Sequence, residues 1–258
     1  MRNPKIEFDN LQMYFGEPYV IDLEGVSGSI TVYQPTIGDI IAIGEKTFYS
    51  TLNVFTTNTT SHKLELWENG IDWNEMSDFE LFCMYKVLIN PKVSYLMFKD
   101  LDFSKFEIFQ KTVDDKVCLV LYNEEEDIEI NEMVYHHISQ YLRNVFNTFP
   151  EEKITNDNIM KKWFIDKEKR QLTRDKEKLD KGEIDSYSIQ PVVSACVNHP
   201  GFKYKLHELK ELGVCAFYDS VKRLQVYENT TALMKGMYSG MIDAKSINAD
   251  DYNFMKKI

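Results

Sequence analysis

The spacing of apolar residues divides the chain into three parts. Residues 1–150 contain short apolar runs typical of strands together with longer segments of helical periodicity. Residues 151–188 contain few apolar side chains, and residues 189–258 show only helical spacing. This pattern predicts an α+β protein with an N-terminal mixed strand/helix domain at 1–150, a charged connector at 151–188 and a C-terminal helical domain at 189–258.

Several elements can be placed within residues 1–150. The segments YVIDLEG and SGSITVYQ flank the glycines of GVSG, which predicts a β-hairpin. Thr36 with Asp39, and Ser77 with Glu80, have the spacing of helix caps. We expect one helix over about 36–55, weakened at Gly44, and another from 77 to about 90, stopped by Pro91. Four short strands are predicted further on, at VSYLMF, FEIFQK, VCLVLYN and DIEIN.

The remaining residues predict helices. The connector carries both charge signs and is interpreted as mobile or helical, with partner docking as a less favoured alternative. A short helix should start at Pro191 and stop at His199-Pro200-Gly201, followed by another short helix at LHELKELG. A long helix should run from about Val214 to Gly236, and a last helix, capped by Ser246 or Asn248, should follow.

The stretch NEEEDIEINEMVYHHISQYLRNVF, residues 123–147, contains six carboxylates before two adjacent histidines. Such residues build metal sites and acid–base catalysts. On a helix, however, His136 and His137 diverge by about 100°, so the pair cannot readily hold one ion. We interpret the acidic residues as a half-exposed strand that leads into an ordinary amphipathic helix, with Glu132 and His136 as a surface pair.

Other candidate motifs give no stronger indication of chemistry. His199 is explained by a helix stop, His207 with Glu211 is a surface pair, and Cys196 with His199 lacks a second pair of zinc ligands. No phosphate-binding or nucleophile motif occurs. The sequence therefore predicts no catalytic residues, no metal and no cofactor. A hydrolase that uses His199 or residues 124–137 is kept as a minority hypothesis.

Charge and cysteine usage restrict the class of partner. The formal charge of −11 is distributed as −13 over residues 1–150, 0 over 151–188 and +2 over 189–258. An acidic first part argues against nucleic-acid binding and suits solubility or a neutral or basic protein partner. Four separated cysteines suggest reduced thiols inside a cell, and no apolar run is long enough for a membrane span.

A cluster of methionine and tyrosine residues marks the end of the long helix. Met234, Met237, Tyr238 and Met241 stand beside Gly236 and Gly240. Their flexible, apolar side chains suit either core packing or an adaptable protein-binding surface. These four residues are the predicted partner-binding site.

Three segments together resemble a known family: ITVYQPTIGDIIAIGEKTFYSTLNVF, ELWENGIDW and FKYKLHELKELGVCAFYDSVKRLQVYENTTALMKGMYSG. They resemble the tail assembly chaperones of long-tailed bacteriophages. The resemblance implies a non-enzymatic protein of the host cell cytoplasm that binds the tape-measure protein and promotes assembly of tail-tube proteins. It also allows homo-oligomers. It implies no catalytic residues. The alternative is a structural component of the phage tail or virion.

Overall fold

A computed structural model describes residues 6–23, 28–113, 116–182, 188–243, 245 and 247–256. The protein is α+β, with a helical C-terminal region. The helices are α1 Asn10–Phe15, α2 Ile37–Ile43, α3 Glu45–Thr56, α4 Lys63–Glu68, α5 Asp78–Tyr85, α6 Pro91–Phe98, α7 Glu132–Val145, α8 Asn158–Asp180, α9 Gln190–Asn198 and α10 Val214–Tyr238. The strands are β1 Tyr19–Asp22, β2 Ser29–Val32, β3 Glu107–Val113, β4 Lys116–Asn123 and β5 Ile128–Ile130.

The strands form two small antiparallel sheets. Strands β1 and β2 pair with Tyr19 opposite Val32, which confirms the predicted hairpin, although residues 24–27 of its connection lie outside the described residues. Strands β3, β4 and β5 form the second sheet in that order, which confirms three of the four further strands. The inner side of this sheet contributes Leu121 and Ile130 to the core.

The fourth predicted strand, VSYLMF, is wrong, because these residues belong to helix α6. Asn90 caps this helix by accepting a hydrogen bond from the Lys92 N–H, and Pro91 occupies its first turn. Proline at that position starts a helix at little cost, because the amide hydrogen it lacks would have no partner there. Val93 and Met97 are fully buried four residues apart, which is the spacing of one helical face.

Both predicted capping boxes form, but the helices that follow them are shorter than expected. Thr36 and Asp39 start α2, and Ser77 and Glu80 start α5. At Gly44, φ of +98° separates α2 from α3, so the predicted helix at 36–55 is two helices. Helix α5 ends at Tyr85 and is followed by a 3₁₀ turn, Lys86–Leu88, rather than continuing to Asn90.

The main core contains residues from both the first and the last predicted parts of the chain. Ile37 and Phe48 from the N-terminal region share this buried cluster with Leu209, Val214 and Phe217. The backbone also joins the two regions, because the Val214 N–H donates to the Pro35 carbonyl at 3.2 Å. Helix α10 is therefore fixed to the N-terminal region at its first turn. The division at 150 and 188 stays a prediction.

A second, smaller buried cluster anchors the predicted connector. Leu66, Trp73 and Leu81 surround Ile165 of α8. The ammonium group of Lys63 contacts the Glu168 carboxylate at 2.5 Å, and Lys161 pairs with Asp72. The connector is therefore helical over Asn158–Asp180, and these contacts hold the N-terminal half of that helix. Residues 176–182 are all exposed.

The guanidinium of Arg143 on α7 joins three elements in the main core. Its Nε donates to the Thr56 carbonyl at 2.8 Å, and its Nη2 donates to the Thr57 carbonyl at 2.6 Å. Nη2 also contacts Asp78 Oδ2 at 3.2 Å, at the start of α5. Asp78 Oδ1 in turn accepts from the Thr59 N–H at 3.1 Å. This buried cation therefore closes the end of α3 and positions the segment that follows.

We expect Arg143→Met to lower the free energy of unfolding by about 3 kcal/mol, because it leaves two carbonyls and one carboxylate without their cationic donor. Urea denaturation followed by circular dichroism measures this change. The exposed Arg174 provides a matched control, and Arg174→Met should change the free energy of unfolding by less than about 0.5 kcal/mol. Equal effects of the two substitutions would contradict the role assigned to Arg143.

We expect limited trypsin digestion to cut first after the basic residues between Arg174 and Lys181. This end of α8 has exposed side chains, so it opens locally at low free-energy cost. Mass spectrometry of the early fragments identifies the cut. First cleavage after the buried Lys161 would show that α8 is anchored differently. First cleavage within residues 36–55 or 214–235 would contradict the predicted domain boundary.

Candidate partner-binding surface

The predicted methionine and tyrosine residues lie at the end of α10 and are largely exposed. Tyr238 and Met241 are 83% and 87% exposed, Met234 is exposed and Met237 is half-buried. Met234, Met237 and Tyr238 have the spacing that places side chains on one side of a helix. The structure therefore puts this group on the surface rather than in the core, and its use in binding stays a prediction.

The two glycines beside this group have different structural roles. Helix α10 continues through Gly236, and the chain reverses at Gly240, where φ is +72°. After the reversal, the N–H groups of Met241 and Ile242 donate to the Gly236 carbonyl at 3.0 and 3.1 Å. A Cβ atom on residue 236 would lie 2.5 Å from Ile242 Cδ1. The two glycines therefore allow Met241 to fold back beside the last helical turn.

A groove of about 620 Å³ extends along α10 from the same side of the helix. Tyr227 lies seven residues before Met234 and eleven before Tyr238, so all three project in similar directions. The groove is lined by apolar and aromatic residues together with several small, polar or charged ones: Tyr14, Phe202, Tyr204, Leu224, Tyr227, Phe254, Gly201, Lys203, Asp219, Ser220 and Arg223. We call this groove and the residues Met234, Met237, Tyr238 and Met241 together the α10 surface.

The C-terminal segment forms one wall of the groove. Arg223 Nη1 donates to the carbonyls of Phe254 at 3.1 Å and Lys256 at 2.7 Å. The Phe254 ring meets the Tyr227 ring edge-on, with centroids 6.5 Å apart. Asn248 caps a 3₁₀ turn, Ala249–Tyr252, where a last helix was predicted. The other predicted cap, Ser246, lies outside the described residues.

Most of the groove lining is uncharged. Asp219 and Arg223 approach each other to 4.0 Å and offset one another, whereas Lys203, which also lines the groove, adds one exposed positive charge. Burial, with a hydrogen bond to Tyr204, raises the pKa of Tyr14 above its usual range, so that its hydroxyl stays neutral. The surface therefore presents aromatic rings and thioethers together with one net positive charge.

The prediction from sequence found only one end of this surface. Phe202, Tyr204 and Phe254 were not identified, because each comes from a different segment of the chain. Tyr227 could have been found, since its seven-residue spacing from Met234 places it on the same helical face.

The acidic run before the adjacent histidines is a turn and not the strand that was predicted. Residues 124–127 connect β4 to β5, and only Ile128–Ile130 forms a strand. At Asp127, φ is +52°, and its carboxylate accepts a hydrogen bond from the Tyr122 hydroxyl at 2.8 Å. These carboxylates are exposed and are directed toward solvent and neighbouring side chains.

His137 and His199 make separate polar contacts. His137 Nδ1 contacts the Tyr19 hydroxyl at 2.6 Å. His199 accepts a hydrogen bond from the Gly201 N–H at 3.0 Å and contacts Glu228 at 3.2 Å, as expected for a residue at a helix end. Over the part of the chain that the structure describes, no group of three or more His, Cys, Asp or Glu side chains could hold a metal ion.

We expect His137 to titrate below pH 6.5, because burial first, and then the charge of His136, lowers its pKa. The unfolded chain then takes up this proton at a higher pH than the folded chain. The contribution of His137 to stability is therefore complete above about pH 6.5 and is lost as the pH falls through its folded pKa. NMR titration of the imidazole protons measures the midpoint, and a value at or above 6.5 would contradict this environment.

Part of the chain matches a known protein family. Residues 176–258 match the model of a family described as the YomV second domain, a phage-derived protein family. The match covers less than half of the chain and suggests a phage-associated protein. It includes every residue of the α10 surface except Tyr14. The chain matches no curated protein and no solved structure. Within the described residues, no helix is long and apolar enough to cross a membrane.

Proposed function

We propose that this protein is a non-enzymatic phage tail assembly chaperone that binds the tape-measure protein and promotes tail-tube assembly in the host cytoplasm. The observation that carries the proposal is the α10 surface, which exposes Tyr238 and Met241 next to an aromatic groove. Contiguous exposed apolar surface on a water-soluble protein is typical of an interaction site. Two similarities support a role in a bacteriophage. Residues 176–258 match a phage-derived family, and the sequence resembles the tail assembly chaperones.

The chemistry of the surface suits a long helical partner with an apolar face. Methionine side chains adapt to different apolar shapes, and tyrosine rings supply large contact areas at low entropic cost. An amphipathic helix placed along α10 would cover the groove with its apolar residues. The acidic N-terminal part, which carries −13, would keep the complex soluble while the partner awaits assembly.

Point variants of the α10 surface test the binding role. We expect the triple variant M234Q/Y238S/M241Q to reduce recovery of co-expressed soluble tape-measure protein at least about tenfold, because the exposed apolar contacts are lost. The variant V87S/L88Q is the matched control, since Val87 and Leu88 are also exposed apolar residues but lie in the turn after α5. Equal recovery with both variants would exclude the α10 surface as the binding site.

The composition of finished particles separates a chaperone from a structural protein. A chaperone is released before completion, so quantitative mass spectrometry of purified virions should detect none of this chain. A constant copy number per particle would contradict the chaperone hypothesis and would support a structural component of the tail or virion.

A further inference from the structure

Strand β3 is uncovered on its edge and on both faces. The sheet order is β3-β4-β5, so within the described residues β3 has a strand neighbour on one side only. All side chains from 107 to 112 are exposed. Ile108 and Phe109, which project to opposite faces, are 48% and 46% exposed, and Val117 on the neighbouring strand is exposed as well. Most of the β3–β4 hairpin therefore lies outside the core.

Such an edge is unusual in a protein that remains monomeric. An unpaired strand offers a row of backbone donors and acceptors to any other strand, and natural edges are normally short, covered or strongly charged. Here a strand of seven residues, EIFQKTV, leaves its outer backbone edge open, and only Glu107 and Lys111 in it are charged. A partner strand would satisfy the backbone groups and cover Ile108 and Phe109 at the same time.

We propose that two copies of this chain pair antiparallel through β3, with Phe109 opposite Phe109 of the second copy. This register places Glu107 of each copy opposite Lys111 of the other, which gives two opposite-charge pairs related by a twofold axis. Shifting the register by two residues would place Glu107 opposite Val113 or Phe109 and would lose both pairs. The sequence of the edge therefore selects a second copy as its partner. The result is a continuous six-stranded sheet.

The charged pairs are compatible with contacts already made within one chain. Lys111 Nζ lies 3.0 Å from Glu129 Oε2, yet the Lys111 side chain is still about half exposed. An ammonium group has three donors, so it can contact Glu129 and Glu107 of the second copy together. Glu107, Phe109 and Lys111 occupy alternate positions and therefore share one face of the sheet.

Charge reversal tests this register directly. Sedimentation equilibrium of the full chain should show a dimer. E107K or K111E alone should raise the dissociation constant of this dimer about tenfold, because each substitution creates two like-charge pairs. An equimolar mixture of E107K and K111E should recover the dimer, because each mixed pair then joins opposite charges. This recovery cannot arise from a folding defect within one chain, such as the loss of the Lys111–Glu129 contact.

Two further measurements complete the test. F109K should weaken the dimer by placing like charges on the twofold axis, whereas Lys99→Glu, a charge reversal outside the hairpin, should leave the dissociation constant unchanged. A chain that remains monomeric at the highest soluble concentration would overturn the proposal. So would a dimer that E107K does not weaken, or single variants whose mixture fails to recover it. The M234Q/Y238S/M241Q variant should dimerise normally, which separates this edge from the α10 surface.

Discussion

The buried guanidinium of Arg143 is the interaction on which the arrangement of the N-terminal helices depends. It binds carbonyls at the end of α3 and the carboxylate at the start of α5 from its position on α7. From there a series of polar contacts leads outward, since Asn58 Nδ2 donates to the Glu151 carbonyl at 3.1 Å and the Lys153 N–H donates to Thr60 Oγ1 at 3.1 Å. A cation in the main core thus determines where the segment before α8 lies, and so links the two buried clusters.

The α10 surface depends on a different set of contacts. Val214 and Phe217 insert the first turns of α10 into the main core, and the hydroxyls of Tyr49 and Tyr218 meet at 2.9 Å on its border. Burial raises the pKa of both phenols, so this pair remains a neutral hydrogen bond. Helix α10 is therefore fixed to the core at its start, while Met234 and Tyr238 near its end are exposed. A surface supported in this way would lose little conformational entropy on binding.

Local chemistry made part of this structure predictable from sequence. The capping boxes at Thr36 and Ser77 depend on residues three positions apart, and β4 contains a continuous apolar run that is typical of a strand. The helix at Pro91–Phe98 was missed because eight residues show too few periods to separate helix from strand. The groove was missed for another reason. Tyr14, Phe202 and Phe254 meet only through tertiary folding, and no spacing in the sequence relates them.

The way in which Arg223 holds the C-terminal segment affects how this protein can evolve. Its guanidinium binds main-chain carbonyls of residues 254 and 256, and main-chain groups are the same for nearly every amino acid. Substitutions at these positions therefore leave the anchor intact while they change the ring that faces Tyr227. The side chains on one wall of the groove can thus change without altering the contacts that attach this segment to α10.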